Sequence, residues 1–139
     1  MFLLDTNVLS AMMSARPAPE VAAWLLDRPS DELFTAAVCQ AEILAGIEVL
    51  PAGRRRSELA ASARAMFTDD FEGRVLPFDM DAGAAYAELF AARRTAGRPT
   101  ATIDLMIGAI ARARGAAVVT RNVADFQECG LSVINPWGG

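Results

Sequence analysis

Five short apolar runs punctuate this chain, and helical stretches separate the first four of them. The runs Phe2–Leu4, Leu33–Thr35, Val75–Phe78, Ala117–Thr120 and Leu131–Ile134 are too short for helices and too apolar for loops, so each reads as a buried strand. Between them, Glu20–Asp27 carries Val21, Trp24 and Leu25 on one helical face, and Cys39–Leu50 reads as a helix. Pro51-Ala52-Gly53 breaks the chain before an alanine-rich helix over Arg54–Phe67, which should form a hairpin with its predecessor. Asp79 or Asp81 can cap a helix running through Ala84, Leu89 and Phe90 to about Thr95. Thr102 can N-cap another, carrying Ile103, Met106, Ile107 and Ile110 and closing at Arg112, Arg114 and Gly115. Parallel strands require crossover connections, so this alternation implies an α/β fold with a parallel sheet covered on both faces.

At 139 residues and 53% hydrophobic, the chain suits one compact domain over 1–139 with a core that needs no disulfides. Cys39 and Cys129 match no zinc or CxxC spacing and read as buried, reduced thiols. The N-terminus has no basic region and meets Asp5 at once, so it reads as neither signal peptide nor membrane anchor. With no apolar run of membrane-spanning length, a cytoplasmic location is expected.

The sequence contains no histidine, which removes Ser-His-Asp and Cys-His systems, histidine acid/base catalysis and His-ligated zinc. A formal charge of -4 argues against a generic nucleic-acid binder unless a bound cation supplies positive potential. Carboxylates that hold a divalent metal fit that exception.

Asp5 ends the first strand, Glu42 lies in the first turns of a helix after the second, and Asp104 opens an almost wholly apolar helix. In an open parallel sheet, strand C-termini and the helix N-termini that follow share one edge, so the three can meet; Asp125, after the fourth strand, reaches the same edge. Hard oxygen ligands of this kind suit Mg²⁺ or Mn²⁺. Taken singly, Asp5 could be a helix cap, Glu42 and Asp104 dipole partners, and Asp125 a turn residue. Taken together, carboxylates crowded on a half-buried edge repel one another and raise their pKa values unless a cation intervenes. Gly108 and Ala111 follow Asp104 at helical spacing and offer a smooth face on which other backbone can pack close to the acid. Thr6, Asn7, Thr120 and Asn122 are neutral hydrogen-bonding side chains suited to holding a carboxylate or a water in place. Arg93, Arg94 and Arg98 precede the Asp104 loop and are better placed to reach a substrate than the run Arg54-Arg55-Arg56.

Four segments in order carry a family resemblance: Leu-Asp-Thr-Asn at 4–7, Ala-Glu-Ile-Leu-Ala-Gly at 41–46, Thr-Ile-Asp-Leu-Met-Ile-Gly-Ala-Ile-Ala at 102–111 and Thr-Arg-Asn-Val-Ala-Asp-Phe at 120–126. The chain resembles the PIN-domain ribonucleases, and its ending Val-Ile-Asn-Pro-Trp is similar to the VapC toxins near FitB. The resemblance implies a three-layer α/β/α sandwich, RNA cleavage by metal-activated water, inhibition by a VapB-type antitoxin and a homodimer within that complex. It also implies that DNA is met only through the antitoxin. Asp5, Glu42 and Asp104 match the family's core acids as metal-holding, catalytic residues. Asn122 stands where many members carry a fourth acid, so either Asp125 supplies that charge or a second metal binds weakly. The apolar helices at 39–67 offer a surface for a second copy or the antitoxin. A second reading is a catalytically weak interaction module on the same fold. A third, a nucleotide-binding domain, lacks any GxGxxG or P-loop pattern after a strand.

Overall fold

The computed structural model describes residues 1–138; the expected domain boundary at 139 lies outside it. Its five strands are β1 (Phe2–Leu4), β2 (Leu33–Ala36), β3 (Val75–Leu76), β4 (Ala117–Val119) and β5 (Val133–Ile134). They form one parallel sheet in the order β3-β2-β1-β4-β5. Around it lie α1 (Thr6–Met13), α2 (Pro19–Leu26), α3 (Ala37–Glu48), α4 (Arg54–Ala65), α5 (Met80–Thr95) and α6 (Thr102–Arg114). The expected layered α/β architecture is present.

The chain order sets a feature that matters for the site. From β1 the sheet grows outward through β2 to β3, and then the chain returns to lay β4 on the other side of β1. Loops leaving β1 and β4 therefore diverge and open a crevice at their C-terminal ends, where ligands settle in open α/β sheets. β1 and β4 run in register, with Phe2, Leu3 and Leu4 opposite Ala117, Val118 and Val119. Leu3, Leu4, Val118 and Val119 are fully buried and continue into Val8, Leu9, Ile107 and Ile110, so the floor of the crevice is the core itself. A second, smaller cluster of Ala85, Leu89, Leu105, Ala109 and Cys129 seals α5 onto α6.

Helix boundaries depart from expectation where local chemistry decides. α6 takes Ala101 rather than Thr102 as its N-cap, because the Ala101 carbonyl already accepts from the Leu105 amide and draws Thr102 into the first turn. β3 stops at Leu76, since Pro77 has no amide to donate to the ladder. α4 ends at Ala65 and continues as a wider π-helical turn, Met66–Asp70, that buries Met66 and Phe67. Leu131 stays outside β5 and packs on α6. Gly108 accordingly receives the side chains of Leu89, Phe126 and Leu131 rather than another stretch of backbone. Asp79 caps α5 by accepting from the Ala82 amide at 3.0 Å, and Gly115 closes α6 in the left-handed region at φ 67°. Cys39 and Cys129 are buried free thiols, as expected. No helix among the described residues is long and apolar enough to cross a membrane.

Candidate active site

Asp5 follows β1 directly and is 3% exposed. It is both things the sequence allowed: a helix cap, and a carboxylate facing the crevice. Its Oδ1 accepts from the Thr6 amide at 2.7 Å, which starts α1. Its Oδ2 accepts from the Thr120 hydroxyl at 2.7 Å and the Asn7 amide at 3.3 Å. Thr120, fully buried at the end of β4, also accepts from the Asn122 backbone amide at 3.0 Å and from Asn7 Nδ2 at 3.3 Å. The Arg121 amide donates to Asn7 Oδ1 at 3.3 Å, so side chains from the β1 and β4 loops are tied across the crevice.

Glu42 comes from the second turn of α3 and is turned toward α1, where the Thr6 hydroxyl donates to its Oε1 at 2.6 Å. Asp104 sits in the first turn of α6, half-buried on the same crevice. Asp5, Thr6, Asn7, Ser10, Glu42, Asp104 and Asn122 line one predominantly polar cavity of about 410 Å³. Asp125 is not in that lining. It lies in a 3₁₀ turn, Val123–Phe126, anchored by the buried Phe126. Its charge nevertheless reaches both Asp5 and Asp104.

The electrostatics follow from this crowding. Burial raises the Asp5 carboxyl above its ordinary range, the Thr120 and Thr6 hydrogen bonds pull it back, and the charges of Glu42 and Asp125 push it up again. Asp104 is pushed up to about 6, by burial first and then by the charges of Asp5, Asp125 and Glu42. Beneath the site, burial and then the nearby Asp5 charge push the Cys39 thiol up to about 12, which leaves it an inert neutral group. No basic side chain lines the cavity among the described residues. An oxygen-preferring cation is the group that would relieve this repulsion, so the donor set fits Mg²⁺ or Mn²⁺. Among the described residues no three acids or cysteines close on one point tightly enough to cage an ion with side chains alone.

The geometry now gives the sequence motifs a common place: a strand-end aspartate, two helix-borne acids and a buried threonine gathered where the strand order reverses. A family model described as PIN domain matches residues 2–129. The chain belongs to the PIN-domain family. Among curated proteins, the plasmid stability protein StbB of Pseudomonas syringae pv. tomato is 41% identical over 137 residues, 99% of each chain. The VapC ribonuclease Y4jK of Sinorhizobium fredii is 39% identical, covering 99% of this chain and 98% of its own. Among solved structures, FitAcB from Neisseria gonorrhoeae superposes with a TM-score of 0.92 at 33% identity, over 99% of both chains.

Within this PIN domain, one residue is placed differently from expectation. Arg93 does not face a substrate: it is 5% exposed and donates to the Thr100 hydroxyl and the Gln127 carbonyl, both at 2.8 Å. Arg98 pairs with Glu128 at 3.3 Å. In the basic run, Arg54 and Arg56 are paired with Glu58 and Glu48, which leaves Arg55 on the wall of an apolar groove beyond Glu42. Ser10 lines the acid cavity and was not singled out from the sequence. The only signal for it is its spacing of one helical turn from Thr6, and exposed serines occur at that spacing on most helices.

Proposed function

We propose that this PIN domain, acting as one unit over the whole chain, is a metal-dependent endoribonuclease toxin of the VapBC type. The observation that carries the reading is the gathering of Asp5, Glu42 and Asp104 around one polar cavity at the switch point, with the Asp125 charge acting on Asp5 and Asp104 from outside the lining. Asp5, Glu42 and Asp104 would hold Mg²⁺ or Mn²⁺, with Asp125 contributing charge on the Asp104 side. The bound ion would lower the pKa of a water and offset the charge of the scissile phosphate. Thr120 and Asn7 fix the Asp5 carboxylate, Thr6 fixes Glu42, and Asn122, which lines the cavity, would orient a water or a phosphate oxygen. Similarity to a VapC ribonuclease supports RNA as the substrate, and similarity to the FitAcB structure supports an antitoxin partner. A homodimer in that complex, contact with DNA through the antitoxin alone and a cytoplasmic location complete the reading.

The test is to incubate purified, antitoxin-free protein with total RNA and defined oligoribonucleotides in Mg²⁺, Mn²⁺ or EDTA, beside Asp5→Ala. Metal-dependent cutting that disappears in EDTA and in the variant is expected. Well-folded parent protein that binds Mn²⁺ yet cuts no RNA would favour the interaction module, the reading that the neutral Asn122 in the cavity lining supports.

A further inference from the structure

Arg93 lies in the last turn of α5, and its guanidinium is sealed from solvent without a carboxylate at ion-pair distance among the described residues. Burying a cation on neutral acceptors alone is unfavourable, so something must be gained by its two directed hydrogen bonds. Nε donates to Thr100 Oγ1 at 2.8 Å, four residues before Asp104. Nη1 donates to the Gln127 carbonyl at 2.8 Å, two residues after Asp125. One planar group thus joins the segment that leads into one acid to the segment that leaves the other.

We propose that Arg93 is a positioning residue that sets the separation of Asp104 and Asp125; this rests on the role given to those acids above. Two further contacts and one backbone conformation serve the same junction. The Arg93 carbonyl accepts from the Arg98 amide at 2.9 Å and closes the turn through Gly97, at φ 68°, that delivers Thr100. Arg98 reaches Glu128 on the outside, so the two segments are tied a second time. Glu128 itself, at φ 62°, is the one non-glycine residue in the left-handed region among the described residues, directly after the carbonyl that Arg93 holds. A lysine could not replace the fork, because a single ammonium cannot present two donors along the fixed directions of a planar guanidinium.

The experiment compares the full chain with Arg93→Lys, Thr100→Val and Thr100→Ser. It measures Mn²⁺ affinity by calorimetry without RNA, amide hydrogen exchange across residues 97–104 and 121–128, and kcat and KM on a cleaved oligoribonucleotide. Arg93→Lys and Thr100→Val should loosen both segments together, weaken Mn²⁺ binding by about 10-fold and lower kcat more than they raise KM. Thr100→Ser, which keeps the hydroxyl, should restore parent behaviour. If Arg93→Lys does not fold, Thr100→Val, which removes one arm without touching the cation, carries the comparison. Folded variants with parent Mn²⁺ affinity and kcat, even at a lower Tm, would overturn the proposal and leave Arg93 a structural cross-link. A parent that binds no Mn²⁺ would overturn the metal-binding reading of the acids, and this proposal with it.

Discussion

The hydroxyl of Thr120 donates to Oδ2 of Asp5 at 2.7 Å, joining the ends of β1 and β4, the two strands between which the order of strand addition reverses. Both side chains are buried, and the bond is charge-assisted, so it holds the carboxylate in one orientation on the wall of the cavity. Thr120→Val keeps the shape and removes the donor. We expect metal affinity to fall by about 10-fold or more, with Thr120→Ser close to the parent. Titration of Mn²⁺ into the three proteins decides it, and equal affinity in the valine variant would show that Asp5 is held by its other contacts.

Asn122 and Asp125 share a turn, and in the proposed site they would divide the role of a fourth acid between them. Asn122 lines the cavity without a charge, whereas Asp125 supplies charge from outside the lining. Asp125→Asn should therefore reduce cleavage strongly, and Asn122→Asp should leave it unchanged or raise it. Initial rates at saturating Mn²⁺ are the readout. Equal rates for Asp125→Asn and the parent would remove Asp125 from the site.

Asp104 makes the metal-free protein sensitive to pH. Its carboxyl moves from an ordinary 3.8 up to about 6 in the folded chain, so between these values the folded state binds a proton that the unfolded state has released. The stability this provides is complete below about pH 4 and is lost as the pH rises through 6. In EDTA, the difference in Tm between the parent and Asp104→Asn should widen against the parent from pH 4.5 to pH 7, and Mn²⁺ should narrow it at pH 7. A difference independent of pH would mean that Asp104 titrates normally.

Gly108 occupies the middle of α6 with side chains, not backbone, over it. An added Cβ would lie 3.5 Å from Leu131 and Leu89 and 3.6 Å from Phe126, which is ordinary contact. Gly108→Ala should raise stability by about 0.4–1 kcal/mol, since alanine loses less backbone entropy in a helix. Thermal unfolding at fixed pH and metal tests this, and a lower Tm would mean that these three side chains cannot accept the methyl group.

The layered fold, the order of its elements and the strand-end position of Asp5 were legible in the sequence because each depends on local pattern. Apolar runs of three or four residues between helical periods leave few topologies open once crossovers must be right-handed. Helix edges were less legible. The start of α6 turned on which carbonyl found an amide, and the end of β3 on a proline one residue beyond it. The gathering of Asp5, Glu42 and Asp104 was inferred from the shared edge of a parallel sheet, and Thr6, Asn7 and Thr120 were named as side chains suited to holding a carboxylate, but which of them holds which acid was not legible. Thr6 binds Glu42 across 36 residues and Thr120 binds Asp5 across 115, and no spacing rule connects such pairs.

Arg93 marks the boundary most clearly. In sequence it is one of three arginines shortly before Asp104, and arginines there usually face solvent or substrate. Its neighbour Arg94 is exposed, while Arg93 is turned inward by the seam that Leu89 and Cys129 close between α5 and α6. Composition and periodicity determined that this chain folds as a covered parallel sheet with carboxylates gathered along one edge. Tertiary packing decided which charges are exposed, which neutral groups hold the acids and which are buried among them, because burial and hydrogen bonding at each position depend on elements distant in sequence.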